Sequence, residues 1–166
     1  MSELSIDRRQ AVRAAAGVAA GSVLVAGAGA SSATAHDNRS SRRDDGSALL
    51  GSWLVTHRNN PPAPPEVTRT IVSLAAGGVL ITNDIDPAGG IASGTWAYRG
   101  NGHFVATFWG GFPAEGKNPA GVFRVQVSGR GRGRTVSGTY RLTVYPKGQK
   151  SQTLTGVFAG SKIPAA

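Results

Sequence analysis

From Gly51 to Gly160 apolar and polar residues alternate with a period of two, and no stretch keeps the three-to-four spacing of an amphipathic helix. The alternating runs predict eight strands, at 51–57, 66–74, 78–83, 92–99, 102–110, 120–128, 134–145 and 151–160. The breaks between them carry turn chemistry: NNPPAPP, AAGG, DPAGG, GNG, GGFPAEGKNP, GRGRG and PKGQK. Short sequential connections favour an antiparallel meander, and closing a meander removes its two exposed edges. The expected fold is all-β, an eight-stranded antiparallel up-and-down barrel.

The same alternation assigns faces. In 134–145, Val136, Tyr140, Leu142 and Val144 share one face against Ser137, Thr139, Arg141 and Thr143. Phe123, Val125 and Val127 oppose Val122, Arg124 and Gln126; Leu154 and Phe158 oppose Thr153 and Thr155; Trp96 and Tyr98 oppose Thr95 and Arg99. The apolar sets are assigned inward. Two strands stay ambiguous: 102–110 is apolar on both faces, with Phe104 and Phe108 against Val105 and Trp109, and Ile71 and Val72 point opposite ways.

Ahead of the strands the pattern changes. Arg8, Arg9 and Arg13 precede AAAGVAAGSVLVAGAGA, 17 residues without a charge, and then ATA before His36. A charged start, an apolar stretch and a small-residue cleavage site make residues 1–35 an expected signal peptide, cut after Ala35. Adjacent Arg8 and Arg9 before a mildly hydrophobic, Ala- and Gly-rich segment resemble a twin-arginine export signal. That resemblance implies a secreted protein that meets the twin-arginine translocase already folded. Four glycines in a run at the short end of the spanning range disfavour a transmembrane anchor. The chain holds no cysteine, so the exported domain is expected to rely on burial alone.

Charge alters the picture less than its size suggests. Of 18 basic and 9 acidic residues, Arg8, Arg9, Arg13, Glu3 and Asp7 precede the expected cut, leaving 15 and 7. One basic cluster, NRSSRRDD at 38–45, has no apolar residue, and 36–47 is expected to be a disordered polar tail before a barrel domain at 48–163. The other, GRGRGR at 129–134, is read as a solvated hairpin loop. It has no interleaved aromatic to stack on bases, so no specific nucleic-acid partner is expected.

GSW at 51–53 opens the first strand, and GTW at 94–96 repeats the Gly-x-Trp setting. With the strand layout over about residues 48–163, GSW resembles the signature of lipocalins and the wider calycin group. The resemblance implies a tryptophan, here Trp53, closing one end of the barrel, with Lys162 matching the basic residue stacked on it. No helix is expected ahead of the first strand. A competing resemblance is to allene oxide cyclase and dirigent-like barrels, which guide cyclisation or isomerisation of a bound intermediate.

An eight-stranded barrel is just wide enough to be filled by side chains or to hold one small ligand. The inward aromatics Trp53, Trp96, Tyr98, Phe104, Phe108, Phe123, Tyr140 and Phe158, with His57 at the strand end, are the candidate ligand site for a small hydrophobic or aromatic molecule. No serine hydrolase elbow or paired carboxylates accompany them. Glu66, Asp84, Asp86 and Glu115 are expected at strand ends or in loops, in water. Neither a catalytic residue nor a cofactor is assigned. After cleavage His36 would carry a free amine able to chelate copper, but no ligand spacing supports a metal site. A non-catalytic envelope protein acting through its basic surface is the remaining alternative.

Overall fold

A computed structural model describes residues 46–63, 67–86 and 88–164. The expected signal with Arg8 and Arg9, the cleavage point at Ala35, and the tail from His36 to residue 45 lie outside the described residues.

Eight strands form a closed barrel in sequence order: β1 (Gly51–Asn59), β2 (Val67–Leu74), β3 (Val79–Asp86), β4 (Ala88–Gly100), β5 (His103–Phe112), β6 (Gly121–Arg132), β7 (Thr135–Pro146) and β8 (Gln152–Lys162). Each is antiparallel to the next. The last pairs with the first, Trp53 opposite Lys162 and Asn59 opposite Gly156, so neither sheet edge is left open.

The strands run past several predicted breaks. GRGRG is not a loop: β6 continues to Arg132, and only Gly133, at φ 58°, and Arg134 make the turn. The cause is periodicity two with unusual residues. Gly129 and Gly131 face inward under the side chains of Phe104, Phe158 and Leu49, while Arg130 and Arg132 face water. DPAGG is likewise mostly strand, since β4 begins at Ala88.

The two ambiguous strands resolve by what each face meets. Val72 faces inward beside the core, and Ile71 faces out. Phe104 and Phe108 point inward, leaving Trp109 on the outer wall at 46% exposure. There Trp109 stacks on Tyr145 at 5.7 Å between ring centroids, with the Arg124 guanidinium 5.7 Å from its own centroid.

One end of the barrel is sealed. A single 3-10 turn, Ser47–Leu49, precedes β1, where no helix was expected. It packs inward because Leu49 is buried and its carbonyl accepts a 2.8 Å hydrogen bond from Trp53 Nε1. Gly46, at φ 77°, lies so close to Tyr98 that a Cβ would come within 2.7 Å of the ring. Residues 46 and 47, expected as the end of a disordered tail, therefore belong to the barrel's floor.

Trp53 is the most buried large side chain, at 1% exposure, and packs with Val55, Leu74, Leu80, Phe104, Ala106 and Val136. The opposite end, where β1 finishes and β2 starts, holds residues 60–63 and the connections 113–120 and 147–151.

Candidate functional site

The barrel is not packed solid. Above the Trp53 layer lies a cavity of about 190 Å³, open toward the end where β1 finishes. Strand alternation builds its wall, because every second residue of each strand points inward. Interior glycines make the room. Gly129 faces Gly138 across β6 and β7, and the rings of Phe104 and Phe158 lie in the space that their side chains would take. Gly156 does the same beneath Tyr140, whose ring a Cβ there would overlap.

Of the residues expected to meet a ligand, Trp53, His57, Phe104, Phe108, Phe123, Tyr140 and Phe158 line this cavity. Trp96 and Tyr98 do not. They lie on the sealed side, where Trp96 Nε1 donates to the Ala75 carbonyl at 2.9 Å and the Tyr98 hydroxyl accepts from the Gly102 amide at 2.8 Å. Both tie turns to the wall. His103 is exposed at the start of β5, far in sequence register from the mouth.

The structure adds polar residues to the cavity that the sequence reading left out: Asn59, Thr68, Thr70, Thr82 and Asp84. Thr68, Thr70 and Thr82 are buried. Their parity with Val72, Leu74 and Leu80 was the available signal, obscured because threonine reads as a polar, outward residue in an alternating strand.

Asp84 is a correction. Instead of standing in solvent, its carboxylate turns into the cavity, with 26% of the side chain exposed. Ordinary alternation aims it, since Asp84 keeps the inward parity of Leu80 and Thr82 on β3, and the register becomes irregular only around it. Arg69 pairs with Asp86 and Thr70 with Asp84, leaving Ile85 as the extra residue on β3, and between Asn83 and Ile85 the pairing with β4 shifts as well. The irregularities fall at the end of β3 and leave the parity of Leu80, Thr82 and Asp84 unbroken. Gly89 completes the arrangement, since a Cβ there would stand 2.7 Å from Asp84 Cβ.

These residues form a connected group near the mouth. His57 Nε2 is 3.1 Å from Thr70 Oγ1, and the Thr70 hydroxyl donates to Asp84 Oδ1. His57 Nε2 and Asp84 Oδ1 are 4.0 Å apart. The imidazole meets the Tyr140 ring edge-on at 5.5 Å, and the Tyr140 hydroxyl donates to Asn59 Oδ1 at 2.7 Å. The cavity is thus polar on one side of its mouth and, apart from Thr82 beside Val72, apolar deeper. Among the described residues no cluster of three or more acidic or histidine side chains could hold a metal ion.

Comparison with protein-family models, with curated proteins and with solved structures finds no match to this chain.

Proposed function

We infer that the protein is a lipocalin-like barrel that binds a small hydrophobic or aromatic molecule outside the cytoplasm. The observation that carries this reading is the unfilled cavity of about 190 Å³, walled by Phe104, Phe108, Phe123, Phe158 and aliphatic side chains, with a few polar groups gathered at one place. A core serving stability alone would be close-packed, because each void forfeits dispersion contacts along its lining. A dry apolar cavity of about 150 Å³ is enough to take up benzene. This one suits a substituted benzene or a fused bicycle.

Trp53 lines the cavity and reports on it. Titrating the full chain with naphthalene is expected to give a saturable change in tryptophan fluorescence; no saturable change, with the fold intact, overturns the reading. Export rests on Arg8 and Arg9 ahead of the apolar run. Replacing both by lysine is expected to leave the precursor in the cytoplasm, and undiminished export would refute the twin-arginine assignment.

A second reading, a barrel that positions a reactive intermediate for cyclisation or isomerisation, is favoured by one observation. His57, linked through Thr70 to Asp84, gives the cavity an imidazole held by a carboxylate. Turnover of an enolisable bicyclic ketone that disappears in His57→Gln would support it; exchange-inert ketone in the presence of the protein would remove it.

A further inference from the structure

The hydrogen bonds at the cavity mouth have a direction. An ionised carboxylate only accepts, and a hydroxyl has one hydrogen to give. Thr70 spends that hydrogen on Asp84 Oδ1, so toward His57 its oxygen acts as acceptor. The proton of the neutral imidazole therefore sits on Nε2. Nδ1 is left with a bare lone pair, and no partner for it is found among the described residues.

We propose that this chain makes the cavity selective for apolar ligands that carry one hydrogen-bond donor, a phenolic or enolic hydroxyl above all, with His57 Nδ1 as the accepting atom. The inference rests on the cavity being a ligand site. It adds which ligands are preferred and how they lie. The hydroxyl is held near the mouth by His57, and the ring body extends toward Trp53 and Phe104, where Thr82 is the one polar residue in an apolar wall. An acceptor-only ligand, such as a ketone, leaves two lone pairs facing each other, and desolvating both without a bond is costly. A carboxylate fares worse, because the Asp84 charge stands on the same side of the mouth.

Asp84 is thereby a positioning residue that acts through Thr70. Asp84→Leu removes the acceptor that fixes the Thr70 hydrogen. The hydroxyl then donates to His57 Nε2, the imidazole proton moves to Nδ1, and the preference reverses.

Two measurements on the full chain in mildly alkaline buffer test this. Long-range proton–nitrogen correlation spectra distinguish a protonated from a bare ring nitrogen, with His57→Gln identifying the His57 signals. The wild type is expected to show protonated Nε2 and Asp84→Leu protonated Nδ1. Fluorescence titrations then compare naphthalene, 2-naphthol and 2-acetylnaphthalene. The wild type is expected to bind 2-naphthol at least about fivefold more tightly than 2-acetylnaphthalene, the scale of one net hydrogen bond, and Asp84→Leu to invert that order. A protonated Nδ1 in the wild type overturns the proposal, even if Asp84→Leu does not fold. So does equal binding of the two substituted naphthalenes while naphthalene itself binds. If naphthalene does not bind, the cavity reading fails, and ligand selection fails with it, whatever the tautomer.

Discussion

Lys162 holds its ammonium 5.5 Å from the centroid of the Trp53 ring while donating a 3.0 Å hydrogen bond to the Ala48 carbonyl. One side chain from β8 thus fastens the 3-10 turn at the start of the barrel to the indole on which that turn rests. Trp53 Nε1 returns the bond through the Leu49 carbonyl. Removing the charge but keeping the stem, as in Lys162→Met, is expected to cost about 1 kcal/mol, from the cation–π contact and one hydrogen bond. Leu49→Ala, which empties a buried site, is expected to cost about 2–5 kcal/mol. Urea midpoints measure both, and an unchanged midpoint for Lys162→Met would mean that the fastening contributes nothing.

The glycine beneath Tyr140 is predicted to be essential to the cavity's shape. In Gly156→Ala the new methyl meets both the phenol ring and the Arg58 carbonyl, so the ring must swing away and the β1 backbone must shift. Overpacking of this kind costs about 1–3 kcal/mol. Moving Tyr140 also breaks its bond to Asn59, so the variant is expected to lose thermal stability and to bind naphthalene more weakly.

Filling the cavity should separate binding from folding. Ala106 is buried on β5 and lines the void. Ala106→Phe is expected to occupy the space a ligand would take, to keep the barrel's circular dichroism, and to abolish the naphthalene response. Retained uptake would place the ligand elsewhere.

Neighbouring positions on β4 test the alternation directly. Ile91 is 71% exposed on the outer wall and Ala92 is 3% exposed on the inner one. Ile91→Glu is expected to change stability by less than about 0.5 kcal/mol, the scale of surface substitutions. Ala92→Glu is expected to cost more than about 2 kcal/mol, because its carboxylate enters an apolar wall without a partner. Equal effects would contradict the inward and outward assignment.

Strand count, order and most of the inward residues were legible in the chain because burial imposes a period of two, and hydrophobic side chains display it. The period faded where small or hydroxylated residues occupied the inner positions. Gly129 and Gly131 looked like turn residues because their inward role is to make room for other side chains, which nothing local reveals. Thr70 had no assigned face, because Ile71 and Val72 point opposite ways and its partner, Asp84, is 14 residues away. Asp84 kept the parity of Leu80 and Thr82, but a carboxylate near a strand end reads as solvated, and its inward partner is Thr70 on the neighbouring strand. Hence the apolar wall could be read from the sequence, and the polar corner that gives it chemistry could not.

Antiparallel closure of an even number of strands brings the two ends of the described span to the same place. β1 leaves from the sealed floor and β8 returns to it, with Ile163 donating to the Ser52 carbonyl at 2.8 Å. A tether attached at Gly46 or at Pro164 would therefore pull from beneath, like a stem, and the mouth would face away from whatever holds it. Held at either of those residues on a sensor chip, the molecule would stand as an upright cup.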